Sequence, residues 1–165
     1  QYARELEVDI DGLRPQVALP GHPDDVHPVH AVIAKGAVKI DCAFIGSCTN
    51  GRIEDLRAAA EQLKGKACPA QVMLRVVPAT KQVWMEALKE GLLDVFMDSG
   101  GLVANAGCGG CASGQIGMTG THEVQLSTSN RNFRGKQGQG ETYLASPAVA
   151  AASAAAGELV EPEGK

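Results

Sequence analysis

Cys48, Cys108 and Cys111 are the residues of this 165-residue chain whose type and spacing could do chemistry. Cys48 stands in Ile45-Gly46-Ser47-Cys48-Thr49-Asn50-Gly51-Arg52, and the other two form a C-x-x-C within Asn105-Ala106-Gly107-Cys108-Gly109-Gly110-Cys111. Glycine has no Cβ, so a glycine-framed loop can turn sharply and approach a bulky inorganic group closely. Four thiolates would close the coordination of zinc or of an electron-transfer iron–sulfur cluster. Three leave one metal corner open, which is what a Lewis-acid catalyst needs. Other readings of the same residues are a dithiol redox pair at Cys108 and Cys111, or a zinc site completed by His122 or by His22, His27 or His30. The plainest reading is a set of small buried hydrophobes. Cys42, inside an apolar run, and Cys68, just before Pro69, receive that last reading.

Two apolar stretches run into these loops. Val38 to Ile45 ends at Gly46 and predicts a buried strand, and Leu102-Val103-Ala104 predicts a short one before the C-x-x-C. Between them, Ile53 to Leu63 has helical spacing with Glu54 and Asp55 in its first turn, favourable at a helix N-terminus. Val72 to Val77 reads as a strand stopped by Pro78, and Thr80 can cap a helix running to Lys89. Val124 to Ser127 is a further strand, followed by a polar glycine-rich loop to Gly140. Pro147 opens an alanine-rich helix that Gly157 ends. Ahead of all this, Leu6 to Leu13 alternates apolar and acidic residues as an edge strand would. The prolines from Pro20 to Pro28 then read as an extended arm over residues 1–30. Alternating strands and helices predict a single α/β domain, a three-layer αβα arrangement with a largely parallel sheet and helices on both faces. In such a sheet, ligands sit beyond the carboxyl ends of the strands, so the loops of Cys48 and Cys108 are expected at one edge.

Composition narrows the function classes. The net charge of −4 offers no basic face for nucleic acid, and no apolar run reaches membrane-spanning length. Five cysteines without a secretory signal favour a metal or redox site in a reducing compartment over a disulfide framework, and so a cytoplasmic location. Gln1 in place of an initiator Met reads as the start of a fragment or processed product.

Three motifs together resemble the aconitase family, closest in pattern to its branch of 3-isopropylmalate dehydratase large subunits and related hydro-lyases. They are Gly46-Ser47-Cys48-Thr49-Asn50-Gly51-Arg52, Gly107-Cys108-Gly109-Gly110-Cys111, and Ser127-Thr128-Ser129-Asn130-Arg131-Asn132-Phe133 with Gly135. Val17-Ala18-Leu19-Pro20 and Ser146-Pro147-Ala148-Val149-Ala150-Ala151 are also similar to family sequence. The resemblance implies that residues 31–165 form a cluster-binding α/β domain in which Cys48, Cys108 and Cys111 hold a [4Fe-4S] cluster with one open iron. It implies dehydration and rehydration of a small hydroxy di- or tricarboxylic acid of the 3-isopropylmalate kind. Asn130 is implied near the cluster and Arg131 on a substrate carboxylate, where a guanidinium fork makes two parallel hydrogen bonds. Lys136 stands where the family usually has a second arginine. It offers a point charge in place of a fork, so substrate binding at that position is expected to differ. The family large subunit is longer, which implies further domains supplying other active-site residues. A small subunit or swivelling domain is implied to carry the base, so this chain alone is expected to be inactive. A non-catalytic iron-sensing module is the alternative.

Overall fold

A computed structural model describes residues 2–164. The architecture is an α/β fold on one mixed, mostly parallel sheet. The strands are β1 (Gln16–Ala18), β2 (Val26–Pro28), β3 (Cys42–Gly46), β4 (Met73–Val77), β5 (Leu102–Val103), β6 (Val124–Ser127) and β7 (Glu141–Ala145), in the order β2-β1-β7-β6-β3-β4-β5. β3 to β7 run parallel to one another, while β1 pairs antiparallel with both β2 and β7.

The chain leaves β3 toward one side of the sheet and later returns to lay down β6 and β7 on the other. Parallel crossovers are right-handed, so reversing direction moves the connections to the opposite face. The outward connections carry α3 (Ile53–Leu63), α4 (Lys81–Lys89) and α5 (Leu92–Asp98), which pack on one another and, with α6 (Pro147–Ala156), on that first face. There Ala43, Ile45, Leu74, Val76 and Leu126 point into one core cluster with Leu56, Leu63 and Phe96. Alanines 150, 151 and 154 let α6 lie close against α3. The return connections, residues 104–123 and 128–140, cover the opposite face as loops. The class and the parallel sheet stand as expected from the sequence, but the second covering layer is loop where helices were expected.

The alternate residues of the strands explain that covering. Facing the loops are Phe44, Arg75, Gln125, Ser127 and Thr142, all buried and four of them polar. A mostly polar sheet face cannot be sealed by an apolar helix stripe without orphaning its donors, whereas a loop brings its own polar groups. The Gln137 side chain supplies three contacts. Its Oε1 accepts from Gln125 Nε2 at 3.1 Å and from Ser127 Oγ at 2.9 Å, and its Nε2 donates to the Arg131 carbonyl at 2.8 Å. The Arg75 guanidinium donates to the Met118 carbonyl at 2.9 Å.

Several local signals act as expected. Thr80 Oγ1 accepts from Val83 N at 3.2 Å, Ser146 Oγ accepts from Val149 N at 3.3 Å, and Gly157 closes α6 in the left-handed region. Leu6 to Leu13 is not a strand. Its apolar side chains are exposed, and the pairing instead occurs at β1 and β2, between and after the prolines, within the stretch expected to be an arm. Prolines bound strands at a sheet edge without breaking its ladder. α5 and β7 were not expected. α5 is seven residues long and follows Gly91, and β7 lies between a glycine-rich loop and a helix cap.

Candidate functional site

At the centre of the sheet the chain's direction reverses between β3 and β6, and the crevice at the carboxyl ends of two such strands is where α/β sheets take ligands. β3 ends in Gly46, whose φ of 130° and contact with β4 both require glycine. A Cβ there would stand 2.0 Å from the Val77 carbonyl oxygen. The following turn, α2 (Ser47–Asn50), carries Cys48 into solvent. Ser47 is held at φ 79°, unusual for a residue with a side chain, and it is fully buried with no partner for its hydroxyl. Strain of this kind persists where the surroundings over-determine the backbone.

Cys108 caps the short 3-10 turn η1 (Gly109–Cys111) and Cys111 ends it, and the turn packs against α2. The seat of η1 is the Phe44 ring: a Cβ on Gly109 would come within 2.4 Å of it, and Gly109 has φ 54°. Phe44 on β3 thus fixes the C-x-x-C turn from below, while the end of the same strand carries Cys48. The structure therefore brings the two cysteine turns together. Cys108 is exposed and Cys111 half-buried, and all three are free thiols. Among the described residues no three His, Cys, Asp or Glu side chains gather tightly enough to hold one metal ion. Thiols on two adjoining turns suit a group that brings its own bulk between them better than a single zinc ion.

Cys42 and Cys68 are set apart from the three. Cys42 faces the loop side of β3, 1% exposed, with its Sγ–H donating to Glu123 Oε2 at 3.4 Å. Burial pushes its thiol up to about 12, with Glu123 and Asp41 adding to the rise and Arg75 opposing it. Burial also raises the Cys68 thiol. Both therefore remain protonated and poor ligands at neutral pH.

The third motif follows β6 and is laced to the Cys48 turn. Thr128 Oγ1 accepts from Gly46 N at 2.8 Å and donates to the Gly46 carbonyl at 3.2 Å. Asn50 Nδ2 donates to the Thr128 carbonyl. Asn130 Oδ1 accepts from both Thr49 Oγ1 and Asn50 Nδ2, each at 3.0 Å. Asn130 and Arg131 are exposed, and Asn132 is buried, its Nδ2 donating to the Leu19 and Thr142 carbonyls at 2.7 and 2.9 Å. Lys136 is half-buried, with its Nζ donating to the Cys111 carbonyl at 2.7 Å. Thr49, Asn50 and Thr128 carry this lacing, Gln137 holds the Arg131 carbonyl, and none of the four was given a role from the sequence. Nothing in spacing marks a polar residue that answers another eighty positions away.

His122, exposed and at φ 67°, lines a cavity of about 660 Å³ with Asn132 and Arg134 that contains none of the three thiols. His27 Nε2 lies 2.8 Å from Asp25 Oδ1, and His30 Nδ1 approaches Glu161 Oε1 to 3.4 Å without a hydrogen bond. A larger cavity of about 1290 Å³ shares Asn50, Thr128 and Ser129 with the site and includes Arg14 and Ser146, but not the cysteines or Arg131.

Three free thiols and an arginine loop thus stand near the topological switch point of an α/β sheet. The description "Aconitase family (aconitate hydratase)" matches residues 1–157, and the chain belongs to that family. It is 52% identical over 163 residues to the 3-isopropylmalate dehydratase large subunit of Nitratidesulfovibrio vulgaris, covering 98% of this chain and 38% of that protein. It is 50% identical over 165 residues to the homoaconitase large subunit of Thermus thermophilus (99% of this chain, 39% of that one). With the methanogen homoaconitase large subunit of Methanocaldococcus jannaschii it shares 46% over 160 residues, 96% of this chain and 37% of that one. The chain thus spans under two-fifths of the length of these relatives.

Proposed function

We propose that this chain is the cluster-bearing part of an aconitase-type hydro-lyase acting on a small hydroxy di- or tricarboxylate such as 3-isopropylmalate or homoaconitate. The observation that supports the reading is the packing of α2 against η1 at the β3–β6 switch point, which brings the turn that carries Cys48 beside the turn that carries Cys108 and Cys111. The donor set fits an iron–sulfur cluster: three thiolates, no fourth ligand on either turn, and a buried hydroxyl at Ser47 without a partner. Cys48, Cys108 and Cys111 would hold a [4Fe-4S] cluster, and such a cluster supplies an open Lewis-acid iron that polarises a C–O bond.

The chain's own residues would do the rest of this domain's share. Arg131, exposed on the loop that leaves β6, would bind a substrate carboxylate through its fork. Asn130 would keep the Cys48 turn and the arginine loop in one register, since its Oδ1 already bridges Thr49 and Asn50. Lys136 has one of its three ammonium donors on Cys111, which leaves the other two for a second carboxylate contact. The remaining domains of a longer subunit, and a small subunit or swivelling domain carrying the base, would complete the enzyme in the cytoplasm. No helix among the described residues is long and apolar enough to cross a membrane. The relatives named above are all enzyme subunits, which favours this reading over a non-catalytic iron-sensing module. The test is anaerobic reconstitution with iron and sulfide, followed by absorption and EPR spectra. A [4Fe-4S] signal that loses one iron readily is expected, and a protein that binds no iron under these conditions would refute it.

A further inference from the structure

Lys136 presents an unusual arrangement for a basic residue next to a proposed anion site. It is half-buried, and among the described residues no carboxylate lies within ion-pair distance of its ammonium. One of its ammonium donors goes to a backbone group: Nζ donates to the Cys111 carbonyl at 2.7 Å. That carbonyl ends the 3-10 turn. Within the turn, Cys111 N donates to the Cys108 carbonyl at 3.2 Å and Ala112 N to the Gly109 carbonyl at 3.1 Å, and among the described residues no backbone N–H reaches the oxygen of Cys111. The last carbonyls of a helical turn need an outside donor, and a lysine is a common one.

The lysine can perform this role because its own Cα is anchored. Its neighbour Gln137 is buried, with its side chain on Gln125 and Ser127 of the sheet and its carbonyl accepting from Thr119 N and Oγ1, both at 2.7 Å. The four-carbon stem therefore spans from a fixed point on the sheet to a turn that is otherwise held chiefly by glycine contacts on Phe44. Losing that one donor frees the carbonyl end of the turn and, with it, the thiols that stand at its two ends.

We propose that Lys136 is a positioning residue for the C-x-x-C turn, setting Cys108 and Cys111 opposite Cys48 through its hydrogen bond to the Cys111 carbonyl. This rests on the reading of those cysteines as cluster ligands for its functional meaning, though not for its geometry. It assigns Lys136 a task distinct from substrate contact, and it links the arginine loop mechanically to the turn it overlies.

The test uses the full 165-residue chain in its metal-free form. Brief iodoacetamide pulses are followed by mass spectrometry of each cysteine in the parent, Lys136→Met and Lys136→Arg. Lys136→Met is expected to change the labelling rate of Cys111 and Cys108 at least fivefold relative to Cys48, with Cys42 and Cys68 still protected. Lys136→Arg, which keeps a donor, is expected to return the ratio to within twofold of the parent. In the reconstituted chain, Lys136→Met is expected to lose iron to a chelator at least fivefold faster, and Lys136→Arg is not. An unchanged Cys111 to Cys48 ratio in Lys136→Met overturns the proposal, as does a rise at Cys42 and Cys68 alongside the others, which would report general unfolding. If the parent chain takes up no cluster, the iron–sulfur reading fails, while the labelling ratio still decides the role of Lys136.

Discussion

The two faces of the sheet are built from the same strands and held by different physics. On the helix face, Ala43, Ile45, Leu74, Val76 and Leu126 are buried against α3 and α6, and the stabilising term is apolar area removed from water. On the loop face Gln125, Ser127, Thr142 and Arg75 are also buried, and the loops bring hydrogen-bond partners to three of them: Gln137 Oε1 accepts from Gln125 Nε2 and Ser127 Oγ, and the Met118 carbonyl accepts from Arg75. Apolar packing tolerates small shifts, whereas a satisfied polar network admits one arrangement. The family's cysteine and arginine motifs all sit at the end of the sheet where the loop face meets the strand termini.

The sharpest break in the comparison is at the thiols. Cys48→Ser, Cys108→Ser and Cys111→Ser are each expected to abolish cluster reconstitution, read by the loss of the absorption and EPR signals. Cys42→Ser and Cys68→Ser should leave it intact, since Cys42 is buried and Cys68 half-buried, away from the two cysteine turns, and burial raises both thiols. A requirement for Cys42, which sits under the loops on β3, would move the site from the switch point into the sheet and undo the assignment.

The next effect in size separates the faces by readout. Arg131→Ala in the complete, cluster-loaded enzyme should lower kcat/KM by about 2–5 kcal/mol in transition-state terms, with little change in thermal stability because the side chain is exposed. Leu56→Ala on α3 should cost about 2–5 kcal/mol of folding stability, measured by denaturant unfolding, because Leu56 is fully buried in the helix-face core. It should leave the metal-free labelling pattern of the three site thiols unchanged. If Arg131→Ala kept kcat/KM within about threefold of its parent, under 1 kcal/mol, the loop would be a polar turn and no more.

Much of this was legible in the sequence, and the limits have a physical pattern. β3, β4, β6, α3, α4 and α6 follow from apolar period and caps such as Thr80 and Ser146, which are local signals. The strand edge at β1 and β2 was displaced because Leu6 to Leu13 alternates correctly but has no partner, while the real edge pairs only three residues on each strand. The cysteine motifs were legible because glycine framing is itself local. What was not legible is the loop covering of the second face: Gln137 reads as one more polar residue in a glycine-rich loop, and its burial depends on partners 10 and 12 residues away across a crossover.

A smaller effect distinguishes the faces by pH. Cys42 has a folded-state value of about 12 against 9.0 when free, so above pH 9.0 the unfolded chain loses this proton while the folded chain keeps it. The contribution to stability is complete below pH 9.0 and falls as pH rises toward about 12. Between pH 8 and pH 10 this amounts to about 1.4 kcal/mol. Cys42→Val should flatten that part of the pH dependence of unfolding, while Cys68→Ala, in a shallower site, should flatten it less.

The smallest effect is at Ser47, where the two faces join. A residue with a Cβ at φ 79° pays a conformational cost, and its buried hydroxyl has no partner in the protein. Ser47→Gly removes both terms and adds the greater chain entropy of glycine in the unfolded state, which opposes them. The net expectation is a gain of about 0.5–1 kcal/mol in the metal-free chain, measured by denaturant unfolding. In the reconstituted protein the same substitution should lose iron to a chelator faster if the hydroxyl next to Cys48, which has no partner among the described residues, helps to hold the group bound there. Stabilisation of the metal-free form together with faster iron loss would identify the strain as belonging to the site. Equal behaviour of the parent and Ser47→Gly in both forms would instead make Ser47 part of the passive sheet end, and the contrast between the two faces would stop short of the cysteine turn.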